Sequence, residues 1–440
     1  MMKKLFSLFG AACAVALFSM EVVAQNPRRE IKADPSYSGC YYRSYPVPEA
    51  DETAVPEGFT AFYISHYGRH GSRWVSDQKV YDRASEMMEN AARENVLTPT
   101  GQELLEKLRI ICEDARDRGG DLSPKGAMEH KGIAQRMYRN YPSVFKAEEP
   151  VSIHCISTLS PRCILSMAAF NEGLKELDPS LNLRREASKR HTYFMHNYEY
   201  TNDIYKASEA AGDSLIRAWV EPSRFLHSFI SDEQYLAREI QDPQMAMFDL
   251  FHIASDMQCV DHLGIDLYKF FTDKELYQCW KALNGHTYMT EGPSFRYGDL
   301  LMANAKNLAA DFVAKADEVL SGACHDVATL RFGHESNIVP FMALIGVKQV
   351  AVRTTAEQAD KCWNTSEIVP MATNIQFIFF KNEAGAVKVR VLHNEKDAIL
   401  PLEDGPFYDW TVLRAYLLEK ADKTGLIEKR SSGPASEKAA

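Results

Sequence analysis

After its first 24 residues the sequence lacks any hydrophobic run long enough to cross a membrane. The apolar stretch 5–20 follows Lys3 and Lys4, and short side chains lead from it to Ala24. A charged start, a short apolar body and a small residue at the cleavage position predict a secretory signal peptide over residues 1–24. We therefore expect an exported protein, located in the periplasm, on the cell surface or outside the cell, with no membrane span.

The sequence also has fewer basic residues than acidic ones. The chain has 50 lysines and arginines against 60 aspartates and glutamates, which gives a net charge of −10. Such a protein is a poor general binder of nucleic acid, so we expect no nucleic-acid partner, and a polyanionic ligand would need a locally basic site. The 440 residues, 45% apolar and 25% charged, are ordinary for a globular protein of one large or two moderate domains, which we expect to be a monomer.

Closely spaced cysteine pairs are absent. Of nine cysteines, eight remain after the predicted cleavage: Cys40, Cys112, Cys155, Cys163, Cys259, Cys279, Cys324 and Cys362. An even number in an exported chain permits disulfides, although spacing cannot fix the pairing and several can be buried thiols. Without Cys-x-x-Cys or a Cys/His cluster, no zinc site built on cysteine is expected. The sequence also has no internal repeat and no Walker-type phosphate loop.

What the sequence does contain is a short strand that leads into a basic loop. Thr60 to Ser65 is a run of apolar, aromatic and β-branched residues, which predicts a strand, and residues 69–73 are Arg-His-Gly-Ser-Arg. Open α/β sheets bind ligands where strands end in such loops. The planar fork of arginine fits two phosphate oxygens, and neutral histidine is nucleophilic. A lone Arg-His pair would be an ordinary solvated turn, but four fixed residues in this order indicate a nucleophile in an anion-binding cradle.

Two further predicted strands lead to polar residues. The strand 151–157 is followed by Arg162 at the start of a helix, where backbone N–H groups favour anions, although by itself this arginine would be taken for a surface residue. The strand 326–332 leads to His334 and Glu335 and then to an apolar helix. A zinc-protease motif would need a second histidine where Ile338 stands, so that alternative fails. The remaining alternative is that His334 donates to phosphate while Glu335 carries a proton.

Periodicity and turn residues predict the other elements. The segment 25–58 is polar and contains proline, which predicts an irregular arm. Helical periodicity dominates residues 178–323, including one helix at 299–321, so this segment is expected to be an inserted, mainly α-helical lobe. Further strands are predicted at 348–352, 376–381 and 387–392.

The Arg-His-Gly-x-Arg sequence after a strand resembles the signature of branch two of the histidine acid phosphatase superfamily, which includes phytases, acid phosphatases and multiple inositol polyphosphate phosphatases. Phe-Gly-His-Glu at 332–335 resembles its second signature. Two positions depart from the pattern. Val75 stands where the family usually has proline, and Glu335 directly follows the histidine, whereas phytases have His-Asp and inositol polyphosphate phosphatases usually have His-Ala-Glu.

The resemblance implies a fold class. We expect an α/β fold with a phosphoglycerate-mutase-like sheet flanked by helices and with the inserted α-helical lobe. The expected organisation is a signal peptide at 1–24, an α/β phosphatase domain at 25–177 and 324–425, the lobe at 178–323 and a disordered tail at 426–440.

The resemblance also implies roles for the site residues, without a metal or a cofactor. His70 would form a covalent phosphohistidine, and Glu335 would act as acid and then as base. The first role requires a neutral ring whose other nitrogen is held by an acceptor, and the second requires a raised glutamate pKa. The residues expected to bind the phosphate are Arg69, Arg73, Arg162 and His334.

The expected function is hydrolysis of phytate or a related inositol polyphosphate by an exported phosphomonoesterase. The alternatives are a broad acid phosphatase or sugar phosphatase and, from a different class, a polyanion-binding protein without turnover. Within the predicted lobe, Arg184-Arg185 and the pair Lys189 and Arg190 are basic clusters. A solvated face is one interpretation of them; if they face the cleft, Lys189 and Arg190 would bind other phosphates of the substrate.

Overall fold

The computed structural model describes residues 26–49, 53–146, 151–196 and 202–422. The predicted signal peptide, 1–24, and the predicted tail, 426–440, lie outside these ranges. Within them, no helix is long and apolar enough to span a membrane.

A single mixed β-sheet of eight strands forms the centre of the structure. Its spatial order is β3-β2-β4-β1-β5-β6-β7, and β8 pairs with β6. The strands are β1 Thr60–Arg69, β2 Ser152–Ser157, β3 Asn182–Ala187, β4 Asp326–Gly333, β5 Asn374–Lys381, β6 Val387–His393, β7 Lys396–Asp397 and β8 Phe407–Asp409.

Strand direction brings three strand ends together. β3, β2, β4 and β1 are parallel neighbours, whereas β5 runs antiparallel to β1. Gly68 of β1 and Ser157 of β2 both pair with Phe332 of β4, so these strands end at the same level. The residues that follow them therefore lie at one edge of the sheet, where open α/β sheets form ligand sites.

Helices cover both faces of the sheet and form a further helical region. Five short 3₁₀ helices span Pro35–Tyr42, Lys189–His191, Asp261–Leu263, Tyr268–Phe270 and Ala356–Lys361. The α-helices are α1 Pro27–Ala33, α2 Gln78–Arg93, α3 Pro99–Ala115, α4 Pro124–Asn140, α5 Pro142–Phe145, α6 Pro161–Leu177, α7 Thr192–Met195, α8 Asn202–Trp219, α9 Ser223–His227, α10 Glu233–Glu239, α11 Pro243–Asp256, α12 Asp273–Thr290, α13 Gly298–Ala303, α14 Lys306–Leu320, α15 Glu335–Leu344, α16 Thr365–Ile368 and α17 Trp410–Asp422.

Three hydrophobic cores hold these layers together. Successive residues of β1, Tyr63 and Ile64, belong to the cores on opposite faces, as the alternation of a strand requires. Helices α14, α15 and α17 cover the Tyr63 face, and α4 and α6 cover the Ile64 face. The third core joins α2 and α3 to α9–α12 and to the 3₁₀ helix Pro35–Tyr42. The chain before β2 therefore packs against the predicted lobe.

The prediction of an irregular N-terminal arm is wrong. Residues 27–42 form α1 and a 3₁₀ helix, and Ile31, Tyr37 and Tyr42 are buried in the third core. The segment was judged by its polar composition, but a few apolar and aromatic residues at suitable positions are enough to dock it onto neighbouring helices.

Three other elements differ from the prediction. Residues 348–352 form a turn and an irregular segment rather than a strand; Val350 is buried by packing, with its N–H bonded to the Val347 carbonyl. The helix predicted at 299–321 is divided into α13 and α14. The segment 178–323 also contains β3, an edge strand whose exposed polar side chains carry little strand signal.

Candidate active site

His70 follows β1 and is fully buried. Its Nδ1 lies 2.9 Å from the Gly71 carbonyl oxygen, so this nitrogen carries the proton and donates it there, which leaves Nε2 as the free base. Burial lowers the pKa of His70 to about 3, Arg69 and Arg162 act in the same direction, and Glu335 opposes them. The ring is therefore neutral over the physiological pH range, with the backbone acceptor that a nucleophilic histidine requires.

The loop that carries His70 is fixed by the N-terminal end of α4. Glu129 accepts hydrogen bonds from the Ser72 N–H at 2.8 Å and from the Ser72 hydroxyl at 2.7 Å. A Cβ atom on Gly71 would lie 2.4 Å from the Gly126 carbonyl oxygen, so the backbones touch at a distance that only glycine permits. Glu129 is a supporting residue whose role the sequence did not reveal.

Three arginines surround His70 with hydrogen-bond donors. Arg69 donates from Nη1 to the Tyr41 and Val369 carbonyls at 2.7 and 2.9 Å, and Arg73 donates from Nη1 to the Trp74 carbonyl at 2.9 Å. Each of these arginines has one buried guanidinium nitrogen for which the described residues offer no hydrogen-bond partner: Arg69 Nη2, Arg73 Nε and Arg162 Nε. Unpaired buried donors are costly, and three of them on neighbouring cations are what a tetrahedral oxyanion would satisfy.

His334 ends β4 and caps α15. Its Nε2 lies 3.3 Å from the Thr158 hydroxyl, and its ring centroid is 5.7 Å from that of His70 and 4.4 Å from that of His196. Burial, and then the charges of His196 and His70, hold the pKa of His334 well below its usual value. His196 was missed because the sequence around it has no recognisable pattern.

Glu335 lies between the nucleophile and an arginine. Its Oε2 is 3.1 Å from Arg69 Nε and 3.5 Å from His70 Nε2. Burial acts to raise the pKa of Glu335, but Arg69 and His70 outweigh it and hold the pKa well below the usual range. The role of acid requires a raised pKa, and without a bound phosphate the pKa is low because the carboxylate is ion-paired with Arg69.

A cavity of about 320 Å³ opens beside these residues and includes Arg162, His196 and His334 in its wall. Ser188 and His191 also line it, so Lys189 and Arg190, which stand between them and are exposed, lie at its edge. Arg184 instead pairs with Asp326. The structure thus brings Arg69, His70, Arg73, Arg162, His334 and Glu335 together, with Lys189 and Arg190 nearby.

One group of side chains within the described ranges has donor atoms close enough to hold a metal ion. His70, His334 and Glu335 offer ligand atoms within 4.8 Å of one another. The three arginines around them carry charges that oppose a cation at this point. The donor set therefore fits an anion better than a metal.

All eight cysteines of the described chain are free thiols, and Cys40, Cys155, Cys163, Cys259 and Cys279 are buried. Cys163 Sγ lies 3.6 Å from His334 Nε2. Burial raises the pKa of Cys163 to about 12, so this thiol stays protonated beside the site.

A neutral histidine, a carboxylate and three arginines at the ends of parallel strands are the parts of a phosphoryl-transfer site. The class of protein that this fold and site define is a phosphatase. Residues 297–394 match the model of the histidine phosphatase superfamily (branch 2).

Known relatives agree with this class. Multiple inositol polyphosphate phosphatase 1 of Gallus gallus is 20% identical over 405 residues, which are 84% of each chain. The crystal structure of Bifidobacterium longum multiple inositol polyphosphate phosphatase in complex with inositol hexasulfate superposes with a TM-score of 0.75 at 18% identity, covering 87% of this chain and 97% of the other. The D. castellii phytase structure gives a TM-score of 0.64 at 14% identity, covering 98% and 93%.

Proposed function

We propose that this protein is an exported phosphomonoesterase that hydrolyses phytate or related inositol polyphosphates through a phosphohistidine intermediate. The observation that carries the proposal is the neutral His70, whose free Nε2 stands among three arginines with unpaired donors. The choice of substrate is supported by the relatives, which are named for inositol polyphosphates, and by the inositol hexasulfate in the Bifidobacterium longum structure.

In the first step, His70 Nε2 attacks phosphorus and the bond from phosphorus to the inositol oxygen breaks. Arg69, Arg73 and Arg162 neutralise charge on the transferred oxygens, and the leaving oxygen takes a proton from the Glu335 carboxyl group. Glu335 must leave Arg69 before it can do this. The arriving phosphate competes for that arginine and adds negative charge, and both effects raise the pKa of the carboxyl group from the low value it has in the ion pair.

In the second step, water hydrolyses the phosphohistidine. The Glu335 carboxylate, deprotonated in the first step, takes a proton from the water, and the water oxygen bonds to phosphorus. The bond from phosphorus to His70 then breaks and returns the electron pair to Nε2. Inorganic phosphate leaves, and both side chains are restored.

A substrate with several phosphates would use the cavity edge as well. Lys189 and Arg190 are exposed next to the cavity wall, where they would meet phosphates other than the one being cleaved. Export rests on the sequence of residues 1–24 and is tested by N-terminal sequencing of the protein recovered outside the cytoplasm. A new N-terminus at Gln25 is expected, whereas an intact Met1 on protein that stays in the cytoplasm would contradict it.

The test of the proposed substrate is phosphate release from phytate, a sugar phosphate and an aryl phosphate, with and without a chelator. We expect the highest kcat/KM for phytate and no loss with the chelator. Equal kcat/KM values for all three would favour a broad acid phosphatase. Tight phytate binding without release would indicate a polyanion-binding protein.

The test of the intermediate is His70→Ala together with mapping of labelled phosphate after rapid quenching in alkali, in which the P–N bond of phosphohistidine is stable. His70→Ala should lose both turnover and labelling. The control variant His262→Ala, which replaces an exposed histidine, should change neither. Label on another residue, or substantial activity in folded His70→Ala, would refute the phosphohistidine.

A further inference from the structure

Asp256 is a buried carboxyl group that the mechanism above does not use. It is the last residue of α11 and is fully buried. Its Oδ2 accepts the Val75 N–H at 3.1 Å and the Tyr81 hydroxyl at 3.0 Å, whereas Oδ1 has no hydrogen-bond partner within the described ranges. Burying a carboxyl group costs free energy unless it is compensated, so its contacts indicate what it does.

These contacts lead to the phosphate-binding loop. Val75 lies two residues after Arg73, and its N–H also meets the Tyr81 hydroxyl at 3.0 Å. The helix α11 thereby fixes the backbone just beyond the arginine. A proline at position 75 has no N–H and could not form this bond. In this chain the backbone beyond Arg73 is held by a hydrogen bond to a buried acid, and a proline at position 75 would remove that hold.

The charge of Asp256 acts on the same arginine. Burial works against the charge of Arg73, but Tyr42, Glu335 and Asp256 outweigh it and hold the pKa of Arg73 above its usual value. Arg73 Nε and Asp256 Oδ1 are both buried without hydrogen-bond partners in the described structure. The two groups are also coupled by charge, because Asp256 raises the pKa of Arg73 and Arg73 lowers the pKa of Asp256.

We propose that Asp256 is a positioning residue for Arg73, acting through the Val75 backbone and through its own charge. It holds the guanidinium group ready for the phosphate that is cleaved. This inference rests on the proposed function, because Arg73 is taken to bind that phosphate.

Arg73 is the charged group that acts on Asp256, and the remaining titratable groups around Asp256 are neutral near pH 7. They are Tyr42 of the 3₁₀ helix Pro35–Tyr42, Tyr81 of α2 and Cys259 after α11, and burial raises the pKa of each. Burial also raises the pKa of Asp256, to about 7, with Arg73 opposing. Asp256 is therefore ionised above neutral pH and protonated at pH 5, so its charge can be tested separately from its hydrogen bonds.

The experiment compares Asp256→Ala, Asp256→Asn and Val75→Pro with Asp249→Asn, using inorganic phosphate as a competitive inhibitor of aryl phosphate hydrolysis. Asp249 is a matched control, since it is a buried acid on the same helix that pairs with Arg83. We expect Asp256→Ala and Val75→Pro to weaken phosphate inhibition about tenfold at pH 8, and Asp249→Asn to stay within about twofold. The double variant Asp256→Ala/Val75→Pro should bind inorganic phosphate no more weakly than either single variant, because both substitutions remove the same hydrogen bond.

Asp256→Asn keeps an acceptor oxygen but no charge. Its inhibition constant should exceed that of the wild type severalfold at pH 8 and approach it at pH 5, where Asp256 is also neutral. If Asp256 had a purely structural role, its substitution would change thermal stability and leave the inhibition constant for phosphate unchanged. Thermal stability is therefore measured for every variant. The inference would be overturned if folded Asp256→Asn and Val75→Pro had the wild-type inhibition constant for phosphate. It would also be overturned if the losses of the two single variants multiplied in the double variant. Failure of the proposed function is distinct, since it appears in the wild type as absent turnover or in His70→Ala as retained turnover.

Discussion

In the proposed mechanism, Glu335 cannot stay paired with Arg69 while it acts on the leaving oxygen of the substrate. Its carboxylate neutralises Arg69 and faces His70 Nε2, which is the direction from which phosphorus must approach. A phosphate that binds to Arg69 must therefore displace the carboxylate. Displacement would move Glu335 away from the cation that lowers its pKa and next to the negative charge of the phosphate, so in the proposed mechanism substrate binding raises the pKa of the acid.

Glu335→Gln should separate the role of proton donor from that of ion-pair partner. Glutamine cannot donate a carboxyl proton, and an inositol alkoxide needs this proton much more than an activated phenolate does. We expect kcat/KM to fall by about 10²–10⁴-fold for phytate and far less for an aryl phosphate. Steady-state kinetics on both substrates measure the difference.

The same variant has an internal control. Glutamine no longer neutralises Arg69, so inorganic phosphate should inhibit Glu335→Gln at least as strongly as the wild type. Only kcat/KM is informative here, because hydrolysis of the phosphohistidine is common to both substrates and kcat can fall alike for both. Equal losses in kcat/KM would mean that the proton comes from another group.

The acid limb of the pH profile depends on His70. Because burial lowers its pKa to about 3, protonation removes the nucleophile only near that pH. We expect kcat/KM for an aryl phosphate to persist down to about pH 3–4 instead of falling near pH 6.5. Initial rates are measured over pH 2.5–7 on enzyme shown to be folded by circular dichroism, and a fall centred near pH 6.5 would contradict the neutral ring.

The residues that the sequence revealed are those next to strand ends. Arg69, His70 and Arg73 form one contiguous motif, for which local pattern was sufficient. Arg162 and His334 each follow a predicted strand, but Arg162 alone would have been taken for a surface residue and was assigned through the family resemblance. Asp256 and His196 reach the site by tertiary packing from helical segments. No local pattern marks such residues, because their role depends on which element packs against the loop.

At the scale of elements, the cavity edge is formed by a segment that the sequence described poorly. β3, the 3₁₀ helix Lys189–His191 and α7 follow one another, and β3 anchors them to the sheet by parallel pairing with β2. The strands that were predicted well, β1, β2 and β4, are buried and apolar, whereas β3 is polar and at the edge. Its place in the sheet follows from its neighbour and not from its own composition.

The basic pair on this 3₁₀ helix should influence substrate choice. Replacing Lys189 and Arg190 together by alanine removes two exposed charges at the cavity edge and leaves the buried arginines unchanged. We expect KM for phytate to rise about 3–30-fold, and KM for an aryl phosphate with a single phosphate to stay within about twofold.

Salt dependence and a matched variant give the control for this prediction. The difference between wild type and double variant should shrink at high ionic strength, since exposed charges are screened. Arg184→Ala, which removes a charge paired with Asp326 of β4, should have a smaller effect on KM for phytate. Equal changes for both substrates would assign Lys189 and Arg190 to the solvated surface.

For the whole molecule, buried histidines decide how stability depends on pH. Burial lowers the pKa of several of them to about 3 or 4: His70, His130, His196, His252 and His393. In the unfolded chain these groups bind protons near pH 6.5, so protons favour unfolding below that pH. Burial raises the pKa of Asp256 to about 7 and also raises the pKa of Glu129, Asp249 and Glu291, and these four acids act in the opposite direction. The five histidines outnumber them.

The unfolding free energy should therefore decrease as pH falls from about 6.5 towards 4. Each such histidine costs at most about 2 kcal/mol at pH 5, and we expect Tm to be about 5–10 °C lower at pH 5 than at pH 7. Scanning calorimetry at pH 5, 6 and 7 measures this. His393→Gln, which keeps a side-chain donor for the Ile368 carbonyl, should reduce the slope. A Tm that does not change between pH 5 and 7 would contradict the prediction.

The position of β1 in the sheet has a consequence for the order in which the protein is made. Both of its neighbours, β4 and β5, come much later in the chain, and the ion-paired Arg69 and Glu335 are 266 residues apart. At 5–20 residues per second, a ribosome needs on the order of 10–50 s to reach Glu335 after Arg69. During that time both edges of β1 have unpaired backbone groups, and its apolar side chains are uncovered. The segment that carries His70 is thus among the first to be synthesised and among the last to be completed.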